Sequence, residues 1–283
     1  MKIKLILVHS GNNFPEYLND CIELALIQNI EVHLILSYKL HKFIKYNIIL
    51  VNLEEYQDEN YLNYSNQKFD TTFRDNFWNR TSTRFFILHN YAKQKAFESF
   101  FHIENDVALF SNLQKEENTL SNTNKEMFLI MDSHNRCIPS LLWVRNYKIL
   151  ESLSNHIYLN QDKNDMESLA SFFYYHQNTV GNLPIIPSFY LGELKDSQLD
   201  YSNLFDELNC IFDGASIGQY LFGIDCIENP NKNTKGFINE TCTFNPNNFK
   251  YEINKTNLYL NYKELKVPII NLHMHCKNLK QLL

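Results

Sequence analysis

The first hundred residues alternate short apolar runs with helical patterns, and that alternation restricts the chain to an α/β domain built on a largely parallel sheet. Residues 5–8 read as a buried strand, the turn His9-Ser10-Gly11-Asn12-Asn13 follows, and Pro15 opens a helix through residue 26 where its missing N–H does least harm. Residues 31–36, with their β-branched side chains, and the short apolar run 48–51 read as the next two strands. The polar stretch 52–75 is expected to be a long loop or irregular helix. Over residues 77–96 the apolar positions Phe77, Phe85, Leu88, Tyr91 and Ala92 recur at helical spacing, with Arg80, Arg84 and Lys93 among them.

Further along, residues 100–110 have the composition of a central strand interrupted by charges, and residues 127–132 and 141–144 read as two more strands. Helices are expected over residues 166–177 and in the 204–222 region, after Phe212-Asp213-Gly214. Residues 228–263 are Asn- and Pro-rich and predict a lid or irregular layer, and residues 267–275 a closing strand. No repeat and no Gly/Ser- or Pro-rich linker divides the chain. The expectation is one α/β domain over 1–283, a mixed, mostly parallel sheet flanked by helices.

Composition narrows the partners. Against 26 Lys and Arg stand 32 Asp and Glu, a formal charge of -6, so there is no global electrostatic footprint for nucleic acid. No run of about 18 apolar residues occurs, which excludes a spanning helix, and the N-terminal run is too short for a signal-peptide core. Six scattered cysteines (Cys21, Cys137, Cys210, Cys226, Cys242, Cys276) without a CxxC pair read as reduced thiols of a cytosolic protein. The 38 Asn reflect an AT-rich source, and the Asn-x-Ser/Thr matches at Asn63, Asn79, Asn239 and Asn254 follow from that density.

Two places carry chemistry. Glu104-Asn105-Asp106 sets two carboxylates two residues apart at the end of an apolar strand, where an unpaired buried carboxylate would cost several kcal/mol. In extended backbone both point to one side and can approach one hard divalent cation, Mg²⁺ or Mn²⁺. In the closing strand the period of two puts Ile270, Leu272 and Met274 on one face and Asn271, His273 and His275 on the other, ahead of Lys277. That pairs a metal ligand with a cation able to neutralise phosphate. Solvated acids at a capped strand end and a core histidine are the structural readings of the same residues.

These segments, Glu-Asn-Asp-Val at a strand end, Phe212-Asp213-Gly214-Ala215-Ser216-Ile217-Gly218-Gln219-Tyr220-Leu221, and Asn271-Leu272-His273-Met274-His275-Cys276-Lys277, together resemble the GT-A fold glycosyltransferases. More narrowly, they resemble small viral and bacterial sugar transferases with a His-x-Glu-Asn-Asp-Val signature. The resemblance runs from residue 1 to about residue 278. It implies Mn²⁺ or Mg²⁺ held by Asp106 directly, with Glu104 as a ligand through water or a ribose contact, and a further ligand at His273 or His275. It also implies that Lys277, Arg84, Asn105 and the turn His9-Ser10-Gly11 serve the diphosphate or nucleotide, at the carboxyl ends of parallel strands. Arg84 reads equally as a partner in a surface ion pair. Asp213 reads either as a helix cap or as the base that deprotonates the acceptor hydroxyl of an inverting transfer.

The implied activity is metal-dependent transfer of a sugar from a nucleoside diphosphate sugar, a UDP-sugar foremost, to a glycan or other hydroxyl acceptor in glycan synthesis. The donor would bind the half 1–110 and the acceptor the half 111–283. The implied setting is cytoplasmic, with a large virus acting in the host cytoplasm as one source. The same carboxylates and histidines would also serve a metal-dependent nucleotidyltransferase or phosphohydrolase, or a non-catalytic protein that binds a nucleotide sugar. Neither a GxGxxG nor a P-loop pattern is present, which argues against dinucleotide and P-loop chemistry.

Overall fold

The computed structural model describes residues 2–67, 76–190, 194, 199–224 and 233–283. Its elements begin with β1 (Lys4–His9), α1 (Tyr17–Ile27), β2 (Glu31–Leu36), β3 (Ile49–Asn52), α2 (Glu59–Ser65), α3 (Phe77–Lys95), β4 (Phe100–Ile103) and β5 (Val107–Leu109). There follow α4 (Gln114–Ser121), β6 (Met127–Leu129), β7 (Met131–Ser133), β8 (Arg136–Cys137), β9 (Leu141–Val144), α5 (Tyr147–Leu159), α6 (Asp165–Tyr175) and β10 (Val180–Asn182). The chain closes with α7 (Phe205–Leu208), α8 (Ile217–Phe222), β11 (Lys250–Ile253), β12 (Leu258–Tyr262), β13 (Leu265–Pro268) and β14 (Asn271–His273).

Seven strands form the central sheet in the order β10-β6-β9-β4-β1-β2-β3. β9 runs antiparallel to both its neighbours, and the other pairings are parallel. Leu5, Ile6 and Leu7 in β1 are all fully buried, as a parallel strand covered on both faces requires. From β1 the chain crosses through α1 to β2 on one side, and from β3 it returns through α3 to β4 on the other. Since such crossovers are almost always right-handed, α1 and α3 cover opposite faces. The carboxyl ends of β1 and β4 therefore diverge at a topological switch point, the place where open α/β sheets leave a crevice for ligands.

Several stretches differ from the sequence reading, among them 127–132, which is two strands, β6 and β7, and β10, which was not foreseen. The strand expected over 100–110 is two strands: β4 belongs to the central sheet, Glu104-Asn105-Asp106 makes a turn, and β5 leaves to pair with β14. The closing strand is likewise two, because the chain passes from β13, paired with β12, through Ile269 and Ile270 into β14. Residues 250–263, read as part of an irregular layer, instead belong to a three-stranded antiparallel sheet β11-β12-β13 that ends at Pro268. Helices α4 and α5 were not foreseen. Residues 68–75 of the expected 52–75 loop, and Cys226, lie outside the described residues, and among the described residues no helix is long and apolar enough to cross a membrane.

The tail is part of the core rather than an appendage. Leu272, Met274, Cys276 and Leu279 are all buried. The other five cysteines, outside position 226, are buried free thiols.

Candidate metal centre

The register of the small β5–β14 ladder builds the site. His273 pairs with Val107, and the N–H of Met274 donates to the carbonyl of Asp106 at 2.8 Å. A strand from the end of the chain is thereby laid against the turn after β4. A slip of one residue would turn His273 to the opposite face.

Glu104, Asp106 and His273 each bring one ligand atom within 4.8 Å of the others. His273 Nε2 lies 3.4 Å from Glu104 Oε2 and 3.4 Å from Asp106 Oδ2. Its Nδ1 is 2.7 Å from the carbonyl oxygen of Gly214, an acceptor, so Nδ1 carries the proton and the Nε2 lone pair faces the two carboxylates. Three such atoms turned toward one another could hold a cation among them, with His273 oriented as a ligand by the carbonyl behind it. The two carboxylates and one imidazole fit Mn²⁺ or Mg²⁺ with positions left for other ligands. The carboxylates converge from a turn, not from the extended strand end expected.

Charge around the three is balanced by two cations. Lys277, in left-handed backbone (φ 59°), places its ammonium on Asp106 Oδ2. Arg84, on α3, donates from Nη1 to Glu104 Oε1 at 2.5 Å and from Nη2 to Asp165 Oδ2 at 2.8 Å. Burial alone would push the Glu104 carboxyl up, but Arg84 first, with Lys277 behind it, holds it at about 2. Asp165 feels the same burial with less compensation and lies above its ordinary range. Arg84 is buried. Both of its terminal nitrogens face carboxylates.

The turn after β1 braces the centre. His9 donates from Nε2 to the carbonyl of Asn13 at 2.8 Å, and its Nδ1 then accepts from Asn105 Nδ2 at 3.0 Å. Ser10 Oγ donates to the carbonyl of Arg80 at 3.1 Å. A Cβ on Gly11 would come within 2.8 Å of the His9 ring. His9 is therefore a buried support of the Glu104-Asn105-Asp106 turn, while Ser10 and Gly11 keep partial exposure at the crevice.

Asp213 is buried, with all its acceptor capacity turned inward. Oδ1 accepts the N–H groups of Ser216 at 3.0 Å and Ile217 at 2.9 Å. Oδ2 accepts those of Gly218 at 2.9 Å and His273 at 3.1 Å. Asn271 pairs with the Asp213 backbone in both directions, at 3.2 and 2.8 Å. Burial pushes the Asp213 carboxyl up, against the pull of the N–H groups of Ile217, Gly218 and His273. Both oxygens thus bind backbone N–H groups at the start of α8 and on β14, the contacts the capping alternative calls for.

His275 stands apart from the three ligand atoms. Its ring lies beside that of His273, 4.3 Å between centroids, and its Nδ1 is 3.0 Å from Gln219 Nε2. Asp165, Gln219, the Gly214 carbonyl and Gly218 were missed in the sequence. Only Gly218 left a signal there, as a glycine inside a helical run, and a Cβ on it would meet the His273 carbonyl oxygen at 2.2 Å.

No family model and no curated protein matches the sequence. Among solved structures, the chain is similar to mouse xyloside xylosyltransferase 1 in its apo form, with TM-score 0.46 and 8% identity, covering 74% of this chain and 93% of that one. It is also similar to the PaToxG glycosyltransferase, with TM-score 0.41 and 10% identity, covering 62% of this chain and 69% of that one. A glycosyltransferase involved in glycosylation of the major capsid of PBCV-1 matches with TM-score 0.38 and 12% identity, covering 64% and 81%.

Proposed function

We propose that this chain is a metal-dependent glycosyltransferase that moves a sugar from a nucleoside diphosphate sugar to a hydroxyl acceptor in glycan synthesis. The observation that carries the reading is the convergence of Glu104 Oε2, Asp106 Oδ2 and His273 Nε2 at the switch point of the sheet, with the Lys277 ammonium beside them. A divalent cation held there supplies the charge that a leaving diphosphate needs. Lys277 adds a mobile positive charge for the same diphosphate. Ser10 and Gly11 offer backbone at the mouth of the crevice, and His9 and Asn105 fix the turn that carries both carboxylates.

Residues 1–110 then receive the donor, with a UDP-sugar as the first to test, and residues 111–283 the acceptor. Asp213 is assigned to holding His273 and the start of α8, not to proton abstraction. The test is calorimetric titration of nucleoside diphosphate sugars with and without Mn²⁺, followed by assay of sugar release and transfer. Binding and turnover that need the cation are expected. Consumption of a nucleoside triphosphate instead would identify a nucleotidyltransferase, and binding without sugar release a non-catalytic protein.

A further inference from the structure

Arg84 and Glu104 could pair in a second way, and the chain prevents it. A guanidinium and a carboxylate left to themselves pair fork to fork, with two parallel N–H···O bonds. Here that pairing would consume both oxygens of Glu104. Instead the Nη2 arm of Arg84 is taken by Asp165 Oδ2 at 2.8 Å, and the Nη1 arm alone reaches Glu104 Oε1. Glu104 Oε2 is thereby left facing His273 Nε2. Asp165 opens α6, whose N-terminus is fixed by a reciprocal cap between Asn164 and Glu167. The side chain that restrains Arg84 is itself anchored.

We propose that Asp165 is a positioning residue: it holds Arg84 to a one-armed contact with Glu104 and so keeps one Glu104 oxygen open to a divalent cation. This rests on the metal reading of the site given above. Without Asp165, Arg84 closes its fork on Glu104 and the site loses a ligand. Without Arg84 as well, Glu104 is released with both oxygens available. A carboxylate free to bind through two oxygens suits the higher coordination number of Ca²⁺.

The experiment is Mn²⁺ and Ca²⁺ titration of the full chain, followed by calorimetry and by the Mn²⁺ paramagnetic resonance signal. Wild type, Asp165→Asn and the double variant Arg84→Met/Asp165→Leu are compared. Asp165→Asn should bind Mn²⁺ about 10–100-fold more weakly, as is usual when an outer partner of a ligand is lost. The double variant should regain binding to within a few-fold of wild type, with a higher Ca²⁺ to Mn²⁺ affinity ratio. A role for Asp165 in folding alone predicts no such rescue.

Asp165→Asn that binds Mn²⁺ as wild type does, or a folded double variant that binds no better than the single, overturns the proposal and leaves the metal site standing. Wild type that fails to bind Mn²⁺ overturns the metal reading itself. If Asp165→Asn does not fold, Arg84→Lys/Asp165→Asn decides: it keeps a cation beside Glu104 but cannot close a fork on it, so a folded variant that binds Mn²⁺ within a few-fold of wild type supports the proposal and one that binds no Mn²⁺ overturns it.

Discussion

Replacing Asp213 by Asn exchanges one carboxylate oxygen for an NH₂ group in a pocket where four backbone N–H groups converge. An amide can satisfy one pair of donors with its oxygen, but its nitrogen then faces the other pair, donor against donor. Two buried N–H groups lose their acceptor, at roughly 1–3 kcal/mol each, so the variant should be less stable by about 2–6 kcal/mol. At roughly 2–4 °C per kcal/mol for a chain of this size, that is a fall in Tm on the order of 5–20 °C. Asn caps a helix about as well as Asp where a single oxygen is used, but here both are. Urea and thermal unfolding of Asp213→Asn measure the loss, and Mn²⁺ titration should show weaker binding, because the His273 N–H is one of the four. A base that is not otherwise needed predicts the reverse: stability within ~0.5 kcal/mol of wild type, and transfer slowed ~10²–10⁴-fold. Unchanged unfolding midpoints would refute the holding role.

Gly218→Ala should destabilise by about 1–3 kcal/mol or more and weaken Mn²⁺ binding with it, since the new Cβ would sit 2.2 Å from the His273 carbonyl oxygen; thermal unfolding and metal titration check both, and a silent variant would contradict the packing described. Lys277→Met should tighten Mn²⁺ binding in the absence of nucleotide, because the ammonium competes for Asp106 Oδ2, while weakening binding of nucleoside diphosphate; calorimetry of each ligand separates the two effects. Burial, with Arg84 nearby, lowers the His102 pKa from an ordinary 6.5 to about 3. As pH falls through that window the unfolded chain takes up a proton that the folded chain refuses, so stability is full above pH 6.5 and is lost toward pH 3, by on the order of 4 kcal/mol in all. Glu104, held at about 2, adds a further loss below its ordinary range, because its stabilising charge is present above that range and disappears on protonation. His102→Gln should flatten the slope of stability against pH by up to one proton between pH 6.5 and 3, measured by urea unfolding across that range.

Elements built from continuous apolar runs were legible in the sequence. β1, β2 and β9 were read within a residue or two, because burial on both faces writes itself as an unbroken hydrophobic stretch. The break at Glu104-Asn105-Asp106 was not legible, since Val107 to Phe110 continues the same composition after the turn and only the arrival of β14 separates the two strands. Helix α5 carried its pattern, with Ile149, Leu150, Leu153 and Ile157 buried behind the Asn146 cap, and was overlooked, whereas α4 buries little besides Leu120 and Glu116 and leaves almost no period to find. The alternation of Leu258, Leu260 and Tyr262 was masked by the Asn-rich surroundings. At the site, the carboxylate pair and His273 were readable as residue types with a shared chemistry. Asp165 was not, because an acid in the first turn of a helix is ordinary and its partner on α3 is 81 residues away.

The pairing of β5 with β14 has a consequence for how the chain reaches its fold. Lys277 and Asp106 are separated by 171 residues, so closing this corner requires a long loop, and contacts of that kind form late. On the ribosome, β5 is complete long before β14, and it waits without that neighbour until residues 271–273 emerge. Val107, Ala108 and Leu109, fully buried in the finished protein, are then an open apolar strand edge. Slow translation or early termination in the second half of the message would prolong that exposure, and a chaperone that shields strand edges would act there first. The corner that carries Glu104, Asp106 and His273 is therefore completed only once residues 271–277 have been made.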